Sequence, residues 1–240
     1  MKICAIVTAR GGSKSILKKN IILINNIPLL HYPLTALAES KYDIDTFVNT
    51  DCPQIASSAL KLGVQNLPRP DFLAGDTVNH GDAIRDAALQ YCNKFGTPDF
   101  FIVLIGNTVM IDGQLINQCL DSLIDQPDFS GLMTVWEAAD DHPFRALKIV
   151  DGSLEEFSPR NVNTDRHTYE PAYFYDQGVW LVRSEYIFLH EGPSPWTWMG
   201  PKVLPIVRPW ITGRDINGPF DVPFHSNWDH LKNTPTSFTY

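Results

Sequence analysis

A short apolar run, Lys2-Ile3-Cys4-Ala5-Ile6-Val7-Thr8, leads directly into Ala9-Arg10-Gly11-Gly12-Ser13-Lys14, and this junction constrains the fold more than any other stretch. A β-branched run that stops at paired glycines reads as a buried strand entering a tight turn. In an open α/β sheet, ligands bind at the carboxyl ends of the strands, where such a turn lies. Gly11 and Gly12 would let backbone amides approach an anion with no side chain in the way. Arg10, Lys14, Lys18 and Lys19 gather positive charge there in a chain whose formal net charge is -8. The loop lacks the G-x-x-x-x-G-K-[ST] spacing of a Walker A motif and the G-x-G-x-x-G spacing of a dinucleotide fingerprint, which argues against a P-loop kinase or a dehydrogenase.

The rest of the chain fits that beginning. Strands are expected over residues 2–8, 46–50, 100–105 and 131–136, with helices over 28–39, 53–62, 79–95 and 114–125 between them. Such alternation predicts an α/β domain with a mostly parallel central sheet flanked by helices. Ile84, Ala87, Ala88 and Tyr91 share one face of the third helix, and Pro28 and Pro53 are placed in first helical turns, where proline is tolerated. After Trp136 come strand-like pieces at 146–150 and 178–183, separated by a polar stretch at 155–170. The last quarter is rich in Pro and Trp and shows little periodicity.

With 240 residues, 44% of them hydrophobic, one domain with a sizeable core is expected. The acidic balance and the lack of a basic run argue against nucleic acid as a partner. No stretch approaches the length needed to span a bilayer, and the apolar start lacks the features of an export signal. Cys4, Cys52, Cys92 and Cys119 are far apart and read as free, buried thiols of a cytoplasmic protein.

Residues 8–20, Thr8-Ala9-Arg10-Gly11-Gly12-Ser13-Lys14-Ser15-Ile16-Leu17-Lys18-Lys19-Asn20, resemble the P-A-R-G-G-S-K-x-x-x-x-K-N signature of the acylneuraminate cytidylyltransferases, with Thr8 in place of proline. Three further landmarks follow in order: Ile27-Pro28-Leu29-Leu30, Asn49-Thr50-Asp51, and Arg69-Pro70-Asp71-Phe72-Leu73-Ala74-Gly75-Asp76. The resemblance implies a Rossmann-like nucleotidyltransferase that joins CMP, from CTP, to a nonulosonic acid. It implies nucleotide binding by Ala9, Arg10, Gly11, Gly12, Ser13, Lys19, Asn20, Arg69 and Asp76, with Arg10 and Lys19 catalytic. Positioned cations of that kind are the main catalytic resource in phosphoryl-type chemistry.

The match departs from the pattern in two places. Where the family reads L-Q-P-T-S-P-L, this chain has Leu104-Ile105-Gly106-Asn107-Thr108-Val109-Met110, so Ile105 replaces a glutamine near the sugar and Asn107 and Thr108 remain as polar contacts. The family's D-I-D-x-x-x-D turn, which helps to hold Mg2+, is sought in the segment 221–229, giving Asp221 and Asp229 as ligands; aligning on Asp229 places His225 at an aspartate position, an unsuitable ligand for magnesium. Residues 138–176 resemble an arm that forms a homodimer, and Lys148 and Arg166 are expected to meet the sugar carboxylate there. His142 is read as structural. A related enzyme using another nucleotide or an octulosonate, and a catalytically silent nucleotide-binding homologue, stay open as alternatives.

Overall fold

The structure is a computed structural model and describes residues 1–13, 15–157 and 163–227. In chain order its elements are β1 (Ile3–Thr8), β2 (Leu23–Ile24), β3 (Ile27–Pro28), α1 (His31–Ala38), β4 (Ile44–Thr50), α2 (Pro53–Leu60), β5 (Gln65–Pro68) and α3 (His80–Phe95). They continue with β6 (Phe100–Ile105), α4 (Gly113–Ile124), β7 (Gly131–Glu137), β8 (Leu147–Val150), β9 (Ser153–Glu156), β10 (Tyr173–Arg183), β11 (Val203–Val207) and α5 (Asp221–Ser226). Seven strands form one sheet in the order β11-β7-β10-β6-β1-β4-β5, with β5 and β11 at its margins. All neighbours are parallel except β10, which runs antiparallel to both β6 and β7.

Alternation along the strands builds two cores. Ile3, Ala5 and Val7 of β1 and Ile102 and Leu104 of β6 pack with Leu34 of α1, Ile55 of α2 and Leu120 of α4. Cys4, Ile6, Phe101 and Val103 point the other way, onto Ile84, Ala88 and Tyr91 of α3 and onto Trp198. Period-two strands covered on both faces read as continuous apolar runs, which is why β1 and β6 were legible in the sequence. Helix starts are set locally: the Asn79 side chain accepts from the Gly81 N–H at 2.9 Å, and Asp112 accepts from the Leu115 N–H at 2.9 Å.

The structure corrects several boundaries. Pro28 lies in β3, not in a helix, because Asn25 and Asn26 adopt φ of 49° and 65° and turn β2 back onto β3. Helix α1 starts at His31, with Pro33 in its first turn. Strands β5 and β11 were not anticipated, and β10 begins at Tyr173 because a register shift between Tyr175 and Trp180 breaks its periodicity. Strands β8 and β9 form a separate hairpin closed by Asp151 (φ 50°) and Gly152 (φ 79°), leaving Leu147, Ile149 and Leu154 exposed. Cys4 and Cys119 are buried free thiols, whereas Cys52 and Cys92 are only partly buried. No helix among the described residues is long and apolar enough to cross a membrane.

Candidate active site

A cleft of about 310 Å³ opens at the carboxyl ends of β1 and β6, lined by Thr8, Arg10, Ser13, Lys19, Arg69 and Asp76, among others. The loop after β1 is fixed to β4: the Ala9 N–H donates to the Asn49 carbonyl at 3.1 Å and the Gly11 N–H to Asp51 Oδ1 at 2.9 Å. Gly11 is required by packing, since a Cβ there would lie 2.8 Å from Cys52 Cβ, while Gly12 faces open space. The buried Asn20 donates from Nδ2 to the Arg10 carbonyl at 3.0 Å, and its own carbonyl accepts from the Leu30 N–H at 2.8 Å. Asn20 thereby ties the loop to the start of α1, with Arg10 set at the cleft and paired to Asp76 at 2.7 Å.

Arg69 is 7% exposed, and among the described residues it has no carboxylate partner. Its Nε donates to Asn49 Oδ1 at 2.8 Å and its Nη2 to the Asn49 carbonyl at 3.3 Å, and Asn49 Nδ2 donates to the Leu67 carbonyl. Burial lowers the Arg69 pKa, opposed by Asp51 and reinforced by Arg10. Lys19 is shifted down likewise, by burial first, with Asp215 acting in the opposite sense and Arg10 in the same one. A buried guanidinium without a carboxylate partner, beside a half-buried lysine and Arg10, is costly unless an anion arrives, so the cleft is built to take one.

Opposite Lys19 stands Asp215. Its Oδ2 accepts from Asn107 Nδ2 at 2.6 Å and its Oδ1 from Asn217 Nδ2 at 2.7 Å, and Lys19 Nζ donates to Asn217 Oδ1 at 3.3 Å. Burial raises the Asp215 pKa, against the hydrogen bond from Asn107 and the charge of Lys19. Asp215, Asn217 and Asp221 supply hard oxygen donors of the kind magnesium takes. Among the described residues no three His, Cys, Asp or Glu side chains cluster as a metal cage. A cation held here would therefore draw its remaining ligands from water and phosphate, the usual habit of magnesium. A buried carboxylate shifted toward its neutral form fits that group, because a divalent neighbour stabilises the ionised form.

The sequence profile of the cytidylyltransferase family matches residues 4–173, well over half of the chain. The chain belongs to that family. Post-translational flagellin modification protein B of Campylobacter coli is 24% identical over 192 residues, covering 79% of this chain and 81% of its own length. An N-acylneuraminate cytidylyltransferase of Escherichia coli O18:K1:H7 is 36% identical over 90 residues, 38% of this chain and 22% of that protein. A CMP-N,N'-diacetyllegionaminic acid synthase of Campylobacter jejuni is 34% identical over 97 residues, 40% of this chain and 41% of that protein. The matched segment thus spans less than half of the last two relatives. A CMP:2-keto-3-deoxy-manno-octonic acid synthetase complexed with CTP superposes with a TM-score of 0.70 at 14% identity, over 97% of this chain and all of that one, a likeness of fold.

In this cytidylyltransferase Arg10, Ser13, Lys19, Asn20, Arg69 and Asp76 share the cleft, together with Asn107. Several expected contacts lie elsewhere. Ala9 is core, and the Gly11 N–H is taken by Asp51, so neither offers a free amide to phosphate. Thr108 is fully buried and donates to the Gln177 carbonyl at 2.9 Å, a structural link to β10. Asn107 spends its amide on Asp215 and on the Ile216 carbonyl at 3.0 Å, which makes it a brace for the carboxylate. Lys148 lies in the β8–β9 hairpin, 3.7 Å from Glu155. Arg166 begins a short 3-10 turn, Arg166–Thr168. Its side chain, Lys14 and Asp229 fall outside the described residues. Asp221 Oδ2 accepts from the Asn217 and Gly218 N–H groups, both at 2.8 Å, and so shapes the turn that carries Asn217. His142 is structural as expected, with Nε2 2.9 Å from the Glu170 carbonyl.

Asp215 and His80 were missed. Asp215-Ile216 and Asp221 also offer a D-I-x-x-x-x-D spacing, with Asn217 between them bonded to Lys19, whereas Asp229 lies outside the described residues. His225 is fully buried in α5, and burial pushes its pKa down to about 4, against the charge of Asp221 and the backbone of Asp215. His80 had no motif to mark it, and only the fold carries the start of α3 to the cleft.

Proposed function

We propose that this chain transfers CMP from CTP to the anomeric hydroxyl of a 2-keto-3-deoxy acidic sugar of the nonulosonic class, releasing pyrophosphate. The observation that carries the reading is the convergence of Arg10, Lys19 and Arg69 on one cleft in an otherwise acidic protein. Three cations, after β1, in the turn that follows and after β5, match a triphosphate and its nucleoside. The activities for which the relatives are named support the same reaction class.

In the reaction, the sugar hydroxyl oxygen bonds to the α-phosphorus as the bond to the α,β-bridging oxygen breaks, and the hydroxyl proton passes to water. Arg10, released from Asp76, and Lys19 neutralise the charge that develops on the departing pyrophosphate. Arg69, fixed by Asn49, anchors the nucleoside so that the α-phosphorus is held in line. Asp215, aligned by Asn107, with Asn217 and Asp221, would hold magnesium, which supplies charge neutralisation across the phosphates when bound. The β8–β9 hairpin, with Leu147, Ile149 and Leu154 exposed beside Lys148, serves a homodimer and presents Lys148 to the sugar carboxylate of a neighbouring site, with Arg166 as its companion. The use of CTP supports a cytoplasmic location.

The test is pyrophosphate release from purified protein, magnesium and each of the four nucleoside triphosphates, against a panel of nonulosonic and octulosonic acids. Release with CTP and one acid class supports the reading and names the acceptor. A rise in melting temperature with CTP but no release with any acid identifies a silent nucleotide binder instead.

A further inference from the structure

Three features of the cleft wall that were unremarkable in the sequence meet at one point. Thr8 closes β1, Ile105 closes β6 as its direct partner in register, and the His80 ring reaches over both from the first position of α3. His80 Nε2 lies 2.9 Å from Thr8 Oγ1, and the ring meets Trp180 of β10 edge-on, at 5.9 Å between centroids and 63°. Since β6 separates β1 from β10, the imidazole spans β6 next to Ile105, with Arg10 and Arg69, which follow β1 and β5, near enough on its other side to act on its charge. Its β6 and β10 contacts put it on the flank of the cleft opposite the β4–β5 side, where Arg69 is fixed to Asn49.

The hydrogen-bond chain favours one tautomer. The Thr8 hydroxyl donates to the Leu104 carbonyl at 3.3 Å, an atom that can only accept. Its oxygen is then the acceptor for His80, so the proton resides on Nε2 and Nδ1 carries a bare lone pair. Among the described residues Nδ1 has no protein partner. Burial, with Arg69 and Arg10 close by, holds the His80 pKa down at about 4, so the ring is neutral throughout the working range. The cleft around it holds Arg10, Ser13 and Lys19, the polar Asn20, Asp76 and Asn107, and the apolar Val78, Ala83 and Ile105. With no protein donor on Nδ1 among the described residues, its donor has to come from the ligand.

We propose that His80 is a specificity-determining residue for the acceptor: its Nδ1 takes a hydrogen bond from a hydroxyl or amide N–H of the acid sugar, with Thr8 fixing the ring and Ile105 leaving no competing polar group beside it. This rests on the transfer reaction proposed above. Trp180 and Trp198, themselves in edge contact at 6.0 Å, hold the ring from behind, so it reads the ligand without rearranging. The acceptor therefore carries a donor at the position that faces β6, and a substrate lacking it is discriminated against.

Steady-state kinetics of wild type, His80→Phe, His80→Asn and Thr8→Val, with melting temperatures for each, test the assignment. His80→Phe should raise the KM for the acid sugar roughly 5- to 10-fold, the worth of one neutral hydrogen bond, while the KM for CTP stays within about twofold. His80→Asn returns an acceptor near Nδ1 and should recover most of that loss. Thr8→Val, which frees the ring and its tautomer, should cost about threefold at the sugar alone. Among single-deoxy analogues of the acceptor, one should be discriminated against by wild type and not by His80→Phe. Equal rises in both KM values, an unchanged sugar KM, or unchanged discrimination across the analogues would overturn the assignment while the transfer reaction stands. A wild type that releases no pyrophosphate with any acid overturns both. Should His80→Phe fail to fold, the Asn and Val variants decide alone, and normal sugar KM values in both refute it.

Discussion

Replacing Asp176 by Asn should unfold this protein far more readily than any change at its surface. Asp176 is fully buried, and its Oδ2 lies 2.8 Å from Arg208 Nη1, whose side chain is 9% exposed. Its Oδ1 accepts from the Gly178 N–H at 2.8 Å and from the Thr134 hydroxyl, while Arg208 also donates to the Met110 carbonyl. At that separation and an effective dielectric of about 20, the Coulomb attraction is about 6 kcal/mol. Asparagine removes the charge but not the volume, leaving Arg208 as an unpaired cation inside the sheet. Breaking a buried pair from one side in this way costs about 3–5 kcal/mol. In a chain of 240 residues each kcal/mol moves the melting temperature by about 2–4 °C, so a fall of roughly 6–20 °C is expected in calorimetry, with a matching shift in the urea midpoint. The double variant Asp176→Asn/Arg208→Gln should regain part of the loss, because neither charge is then orphaned. A drop of under 1 kcal/mol for Asp176→Asn, or a double variant as damaged as the sum of the singles, would refute the pairing as a source of stability.

Lys19→Ala should lower kcat about 10²- to 10³-fold with a smaller effect on the KM for CTP, measured by pyrophosphate release, since the lysine is assigned to charge that grows in the transition state. Gly11→Ala forces a Cβ to within 2.8 Å of Cys52 Cβ. A loss of about 1–3 kcal/mol in urea unfolding and weaker CTP binding by calorimetry should follow. Stability should also decline as pH falls from about 6.5 toward 4. Across that window the unfolded chain protonates His80 and His225 while burial keeps both neutral in the fold. The slope is about 1.4 kcal/mol per pH unit for each histidine, and replacing His80 by Asn should flatten it by about that amount in pH-dependent urea titrations.

The strand-loop junction at residues 2–13 was legible because period-two burial on both faces leaves an unbroken apolar run, and because a cluster of cations cannot be explained by packing alone. The same physics hid β5 and β11. Each is short and interrupted by proline, and Gln65, Asn66 and Pro205 give no β-branched signature. The site was legible where one contiguous segment builds it, as with Arg10, Lys19 and Asn20. It was illegible where folding joins distant pieces: Asp215 reaches Lys19 through Asn217, and His80 reaches Thr8 across 72 positions of sequence. Thr108 and Gly11 show the converse error, residues whose chemistry suits a ligand but whose hydrogen-bonding groups are already committed to the fold.

Both outermost strands of the seven-stranded sheet carry a proline, Pro68 in β5 and Pro205 in β11. A visiting strand at either border finds a missing N–H and a ring in its path, so the sheet resists being lengthened by a neighbour. Self-association is thereby steered away from open-ended stacking of sheets, toward whatever contact the hairpin's apolar side chains can close.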